Sequence, residues 1–161
     1  MQRTVTEATY AGALLAVAGT LAWITGRPLV FPSLGPSAYL LAADPGSTTD
    51  RELLGGHAVG VLAGLASYHS LAAGSGIFGG FAAGGTVAAH LIASAVASVV
   101  LTTAGMALTD TRHAPACATT LIVSLGLLPT LADALVIAVG VSGLYAASVV
   151  ADRFGLSPSE R

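Results

Sequence analysis

The stretch AGGTVAAHLIASAVASVVLTTAGMAL, residues 83–108, carries no charged side chain. Wound as an α-helix at 1.5 Å per residue, it is long enough to cross the roughly 30 Å hydrocarbon core of a bilayer. Three further stretches read the same way: Ala8 to Gly26, Leu53 to Leu71 and Leu131 to Ala151. Each approaches the roughly 20 apolar residues that a spanning helix needs. The first is preceded by only one basic residue, Arg3, is long enough to span and lacks a clear small-residue cleavage site, so it is expected to be a retained helix and not a signal peptide.

The rest of the composition agrees. The chain of 161 residues is 54% hydrophobic and 9% charged, against roughly 25% charged in a soluble domain, too little to cover a water-facing surface. Lysine and asparagine are absent, while glycine occurs 20 times, and glycine lets membrane helices approach closely. A net charge of −2 without any basic run excludes nucleic-acid binding. The single cysteine, Cys117, excludes an internal disulfide or a C-x-x-C motif. Four scattered histidines make no metal site, and no cofactor is expected.

Two shorter apolar stretches lie between the long ones. Leu29 to Ala43 is interrupted by Pro32, Gly35 and Pro36, and His113 to Leu128 has Pro115 near its start. Proline removes a backbone donor and clashes with the preceding turn, so each segment is expected to be extended before its proline and helical after it. The order is long, broken, long, then long, broken, long. An offset of 82 residues lays Gly35 to Leu40 over Cys117 to Ile122, which brings Ser37 over Thr119. The expected fold is therefore all-α: a polytopic membrane bundle of four long helices and two broken short ones, arranged as two repeats, about 8–72 and 83–154, within one transmembrane domain over 1–161.

Arginine placement argues that the broken elements cross. With six passes, Arg3, Arg51, Arg112, Arg153 and Arg161 fall on one side and Arg27 on the other. The positive-inside rule places the richer side, with both termini, in the cytoplasm of a cell membrane. Three passes per repeat make the repeats inverted. Inverted repeats with broken helices at the midplane are a transporter architecture. Two facing helix N-termini would hold a small anion on backbone N–H groups around Gly35 to Ala38 and Cys117 to Thr120. Prolines that only kink helices for packing are the plainer alternative.

The same residues resemble a known family. Ser33-Leu34-Gly35-Pro36-Ser37-Ala38, then Gly55-Gly56-His57, then His113-Ala114-Pro115-Ala116-Cys117-Ala118-Thr119 are similar to motifs of the HPP family. These small integral membrane proteins are named for a His-Pro-Pro sequence. Ala114 replaces the first proline of that motif, and Cys117 stands where glycine is usual. Some relatives are described as nitrite transporters, so the resemblance implies transport of a small inorganic anion.

The expected binding residues are Ser33, Gly35, Ser37, Ala38, His57, His113, Pro115, Cys117, Thr119 and Thr120. The hydroxyls of Ser37 and Thr119 either contact the anion or bond their own helix backbone. His57 and His113 both lie toward the cytoplasmic side, where they can meet and either couple proton movement to anion movement or serve as hydrogen-bonded structural groups. The glycines at 56, 60 and 64 recur every fourth residue on one face, a close-packing pattern. The expected partners are a small anion, the lipid bilayer and possible further copies of the chain as a homo-oligomer.

Two other function classes compete. One is a channel or a membrane subunit without transport of its own. The other is an intramembrane serine protease built on Gly35-Pro36-Ser37 with His90, which Ala38 after the serine and the lack of asparagine argue against. A non-enzymatic protein is the expectation.

Overall fold

The computed structural model describes residues 2–28 and 30–158, with the side chains of all of these except Gln2, Arg3, Val30 and Phe31. Six helices follow in order: α1 (Gln2–Thr25), α2 (Val30–Ala43), α3 (Asp50–Leu71), α4 (Thr86–Thr109), α5 (Ala116–Ser124) and α6 (Leu131–Arg153). No strand forms among the described residues. The fold is all-α, as the hydropathy pattern requires.

Among the described residues three helices are long and apolar enough to cross a membrane: Thr4–Thr25, Thr86–Thr109 and Leu131–Arg153. Hydropathy along the sequence predicts four. The helix that drops out is α3, which has the length, 22 residues, but is diluted by His57, Ser67, Tyr68, His69 and its glycines. All but the exposed His69 and the half-buried Gly55 have a tertiary explanation. α3 packs on α4, α5 and α6, and Gly56, His57, Gly60, Gly64, Ser67 and Tyr68 are all buried. A helix screened by protein need not be apolar all round.

The two broken elements differ from each other. α5 behaves as expected, with Pro115 at its N-cap and the helix starting at Ala116. α2 does not: it runs unbroken through Pro36. Pro32 lies in its first turn, where an N–H has no partner inside the helix, so the missing donor costs little there. Pro36 leaves the Pro32 carbonyl without its helical donor, and burial of Leu34, Ser37, Ala38 and Ala42 holds the helix together across that gap. Leu29, the expected start of this element, lies outside the described residues.

Both helices that close the halves start on the same device. Thr49 caps α3 and exchanges hydrogen bonds with Glu52, and Thr130 caps α6 and does the same with Asp133. Each is a capping box, which satisfies two orphan donors of a helix start.

Contacts along the helices set their directions. Tyr10 and Leu14 of α1 cluster with Ala38 and Ala42 of α2 and Leu144 of α6, while at the other end of α1 Arg27 pairs with Asp133 at 2.6 Å. α1 therefore runs against α2 and α6. α3 runs against α6, since Asp50 accepts from the Tyr145 hydroxyl and His69 meets the Pro129 carbonyl. It also runs against α4, since Arg51 donates to the Thr109 carbonyl at its start and Tyr68 clusters with Leu91 at its end. α5 lies parallel to α3 along Gly56, Gly60 and Gly64. The chain thus runs end to end six times in alternating directions. One end of the bundle gathers Arg51, Arg112 and Arg153, and the other holds Arg27. The remaining arginines of the charge argument, the Arg3 side chain and Arg161, lie outside the described residues. Helices pack in the pairs α1·α2, α4·α5, α1·α6, α3·α4, α2·α6, α3·α5, α2·α5 and α3·α6.

Candidate functional site

The site is assembled by the approach of α5 to α3. A Cβ on Gly56 would stand 2.6 Å from His113 Cβ, one on Gly60 2.8 Å from the Ala116 carbonyl oxygen, and one on Gly64 2.8 Å from Val123 Cβ. No side chain fits at those separations, so the glycine face allows the two backbones to meet. The expected packing face is present, and α5 is what covers it. This contact brings His113 and Thr119 against His57, the residue next to Gly56.

Four side chains then join in one chain of hydrogen bonds. Ser37 Oγ lies 2.8 Å from His57 Nε2 and 2.9 Å from His113 Nε2. His57 Nδ1 lies 2.8 Å from Thr119 Oγ1. The imidazole centroids are 5.2 Å apart, with the planes inclined by 59°. Ser37 and Thr119 are fully buried and both histidines nearly so. The contributing elements are α2, α3, the link before α5, and α5 itself.

A serine hydroxyl has one proton, so between two imidazoles it donates to one and accepts from the other. The two histidines therefore hold opposite tautomers. In one arrangement Thr119 donates to His57 Nδ1, His57 Nε2–H donates to Ser37, and Ser37 donates to His113 Nε2, which places the His113 proton on Nδ1. In the other, His113 Nε2–H donates to Ser37, Ser37 donates to His57 Nε2, and His57 Nδ1–H donates to Thr119. His113 Nδ1 is buried without a partner. The second arrangement leaves it a bare lone pair, whereas the first would strand an N–H, the costlier orphan.

The model of the HPP transmembrane region matches residues 1–157 of the chain. The chain belongs to the HPP family. No curated protein and no solved structure matches it.

In this HPP protein the expected site residues divide. Ser37, His57, His113 and Thr119 come together. Thr120 is fully buried beside them in sequence, and its hydroxyl has no partner. Ser33 is buried one turn before Ser37. Gly35 points elsewhere: the nearest atom to a Cβ there is Leu15 Cδ1 of α1, at 3.9 Å. Ala38 packs with Tyr10, Leu14 and Leu144. Pro115 caps α5, and Cys117 is a half-buried free thiol. His90, the histidine weighed as a partner of Ser37, is exposed on α4.

The backbone cradle is absent. α2 presents no helix start at Gly35 to Ala38, because it is continuous there. At α5 the first N–H groups are engaged locally: Ala116, Cys117 and Ala118 donate to the carbonyls of His113, Ala114 and Pro115. What the site offers a ligand is therefore side chains.

A further polar row, outside the expected site residues, lies on α4. Ser94, Ser98, Thr102 and Met106 recur every fourth residue, all buried. Ser94 donates to the Ser124 carbonyl and Ser98 to the Ser124 hydroxyl, and the Met106 sulfur receives the His113 N–H. The row follows α5 from its last residue back to His113, and the Thr102 hydroxyl midway has no partner. Helical spacing of hydroxyls was the available signal.

Proposed function

We propose that this HPP protein is a transporter of a small inorganic anion of the nitrite class, and not an enzyme. The observation that carries the reading is the buried network of Ser37, His57, His113 and Thr119, built from both halves of the chain in a membrane-protein family. Buried ionisable and hydroxyl groups are expensive in a membrane domain and concentrate on substrate pathways. The unpartnered groups near the network, His113 Nδ1 and the Thr120 hydroxyl, are free to contact a ligand. Ser37 itself is fully buried and committed to two imidazoles, which leaves no nucleophile open to a peptide.

Inverted repeats support this architecture. Exchanging α1 with α4, α2 with α5 and α3 with α6 maps the packed pairs onto one another, with the directions reversed. The capping boxes of α3 and α6 correspond under the same exchange. On this reading α3 and the two short elements cross with the others, the end bearing Arg51, Arg112 and Arg153 is cytoplasmic, and the termini lie there in a cell membrane. Association into oligomers is compatible with the apolar outer faces.

Purified protein in liposomes, tested with nitrite, nitrate, formate and chloride, decides the matter. Saturable entry of one or more anions above protein-free vesicles is expected. Entry that rises linearly with concentration would favour a channel, and no entry would refute transport.

A further inference from the structure

We infer that the anion travels together with one proton carried by the His57–Ser37–His113 unit, so that each turnover is electroneutral. This rests on the transport reading above and assigns the second species carried.

The argument starts from charge. An anion moving through the interior needs a positive partner, because burying an isolated charge costs far more than the site can return. Among the described residues no arginine is buried, and the sequence has no lysine. Backbone donors at the α5 start are already engaged. The buried basic groups are His57 and His113. Only their protonation supplies a positive charge.

The geometry provides the route. A proton added to the bare His113 Nδ1 makes an imidazolium whose new N–H has no protein partner, and an anion can accept it in a charge-assisted hydrogen bond. The charge can then move. His113 Nε2–H passes its proton to Ser37 Oγ as the Ser37 proton passes to His57 Nε2, across separations of 2.9 and 2.8 Å. The N–H bond at His113 Nε2 and the original O–H bond of Ser37 break, and an O–H at Ser37 and an N–H at His57 Nε2 form. The products are neutral His113 and an imidazolium at His57, which donates from Nδ1 to Thr119.

The charged neighbours stand at the two ends of the bundle, and α6, which packs on α2 and α3, brings Asp133 at the far end, paired with Arg27. At the start of α3, Glu52 accepts from the Thr49 N–H and hydroxyl, while Asp50 and Arg51 are engaged by Tyr145 and the Thr109 carbonyl. Asp110 and Arg112 flank the link before α5. α2 brings no charged residue to the network and α5 contains none.

The test uses wild-type protein in vesicles with a trapped pH dye, potassium on both sides and valinomycin to set the potential. Nitrite and nitrate are supplied outside at alkaline pH, where neutral nitrous acid is scarce, and protein-free vesicles give the background. The expected result is internal acidification of one proton per anion, at a rate unchanged between inside-positive and inside-negative clamps. Anion entry without acidification, faster when the inside is positive, would overturn coupling and leave transport standing. No entry of either anion, nor of formate or chloride, would overturn both. His113→Gln keeps a polar side chain that cannot carry the proton, and coupled entry should fall roughly 10²-fold, the scale of a lost proton-transfer group.

Discussion

Ser37 carries a single hydroxyl between two buried imidazoles, and its removal strands both Nε2 atoms at once. Leaving a buried polar atom unpaired costs about 1–3 kcal/mol, so Ser37→Ala is expected to lower the unfolding midpoint in detergent clearly, not only to alter flux. An unchanged midpoint would mean that the imidazoles do not depend on this bridge. Thr120 offers the opposite case. Its hydroxyl is buried and unpaired, and a valine of similar shape removes a polar atom that gains nothing in the folded protein. Thr120→Val should leave stability unchanged or raise it by about 1 kcal/mol, while lowering anion affinity up to about tenfold if that hydroxyl meets the substrate. Equal flux in wild type and variant would exclude Thr120 from the path.

Among elements, the contact between α3 and α5 decides whether the site exists. Gly60 faces the Ala116 carbonyl oxygen, a backbone atom that cannot rotate away. Gly60→Ala is therefore expected to destabilise by about 1–3 kcal/mol through overpacking. Gly12 is the matching control, since a Cβ there meets nothing within 4 Å. Gly155 would mislead as a control, because its φ of +65° penalises any side chain whatever the space. Thermal unfolding of both variants in one detergent checks the difference. Similar midpoints would place the α5 contact on another face of α3.

At the scale of the whole molecule, the alternating helix directions put the α2–α3 and α3–α4 links at opposite ends of the bundle. In a Cys117→Ser background, single cysteines at Ser47 and Ala73, both exposed, should label from opposite sides of sealed vesicles. Labelling of both from one side would rule out a crossing by α3. That helix is the informative one, because its polar residues keep it from qualifying on apolarity alone.

What the sequence by itself determined is the solvent: long uncharged stretches suit lipid, and hydropathy is a local sum that needs no fold to evaluate. It also showed the glycine face of α3 and the two histidines, since helical spacing converts residue number into direction. Proline misled at α2, because a proline inside a helix costs about 3 kcal/mol or more, and the packing of Leu34 and Ala38 with the Ser37 hydrogen bonds holds the helix across it. The partners of Ser37 were settled only by tertiary structure. His57 and His113 stand 20 and 76 residues away, and no local pattern tells which helix will pass close enough for their rings to share one hydroxyl proton.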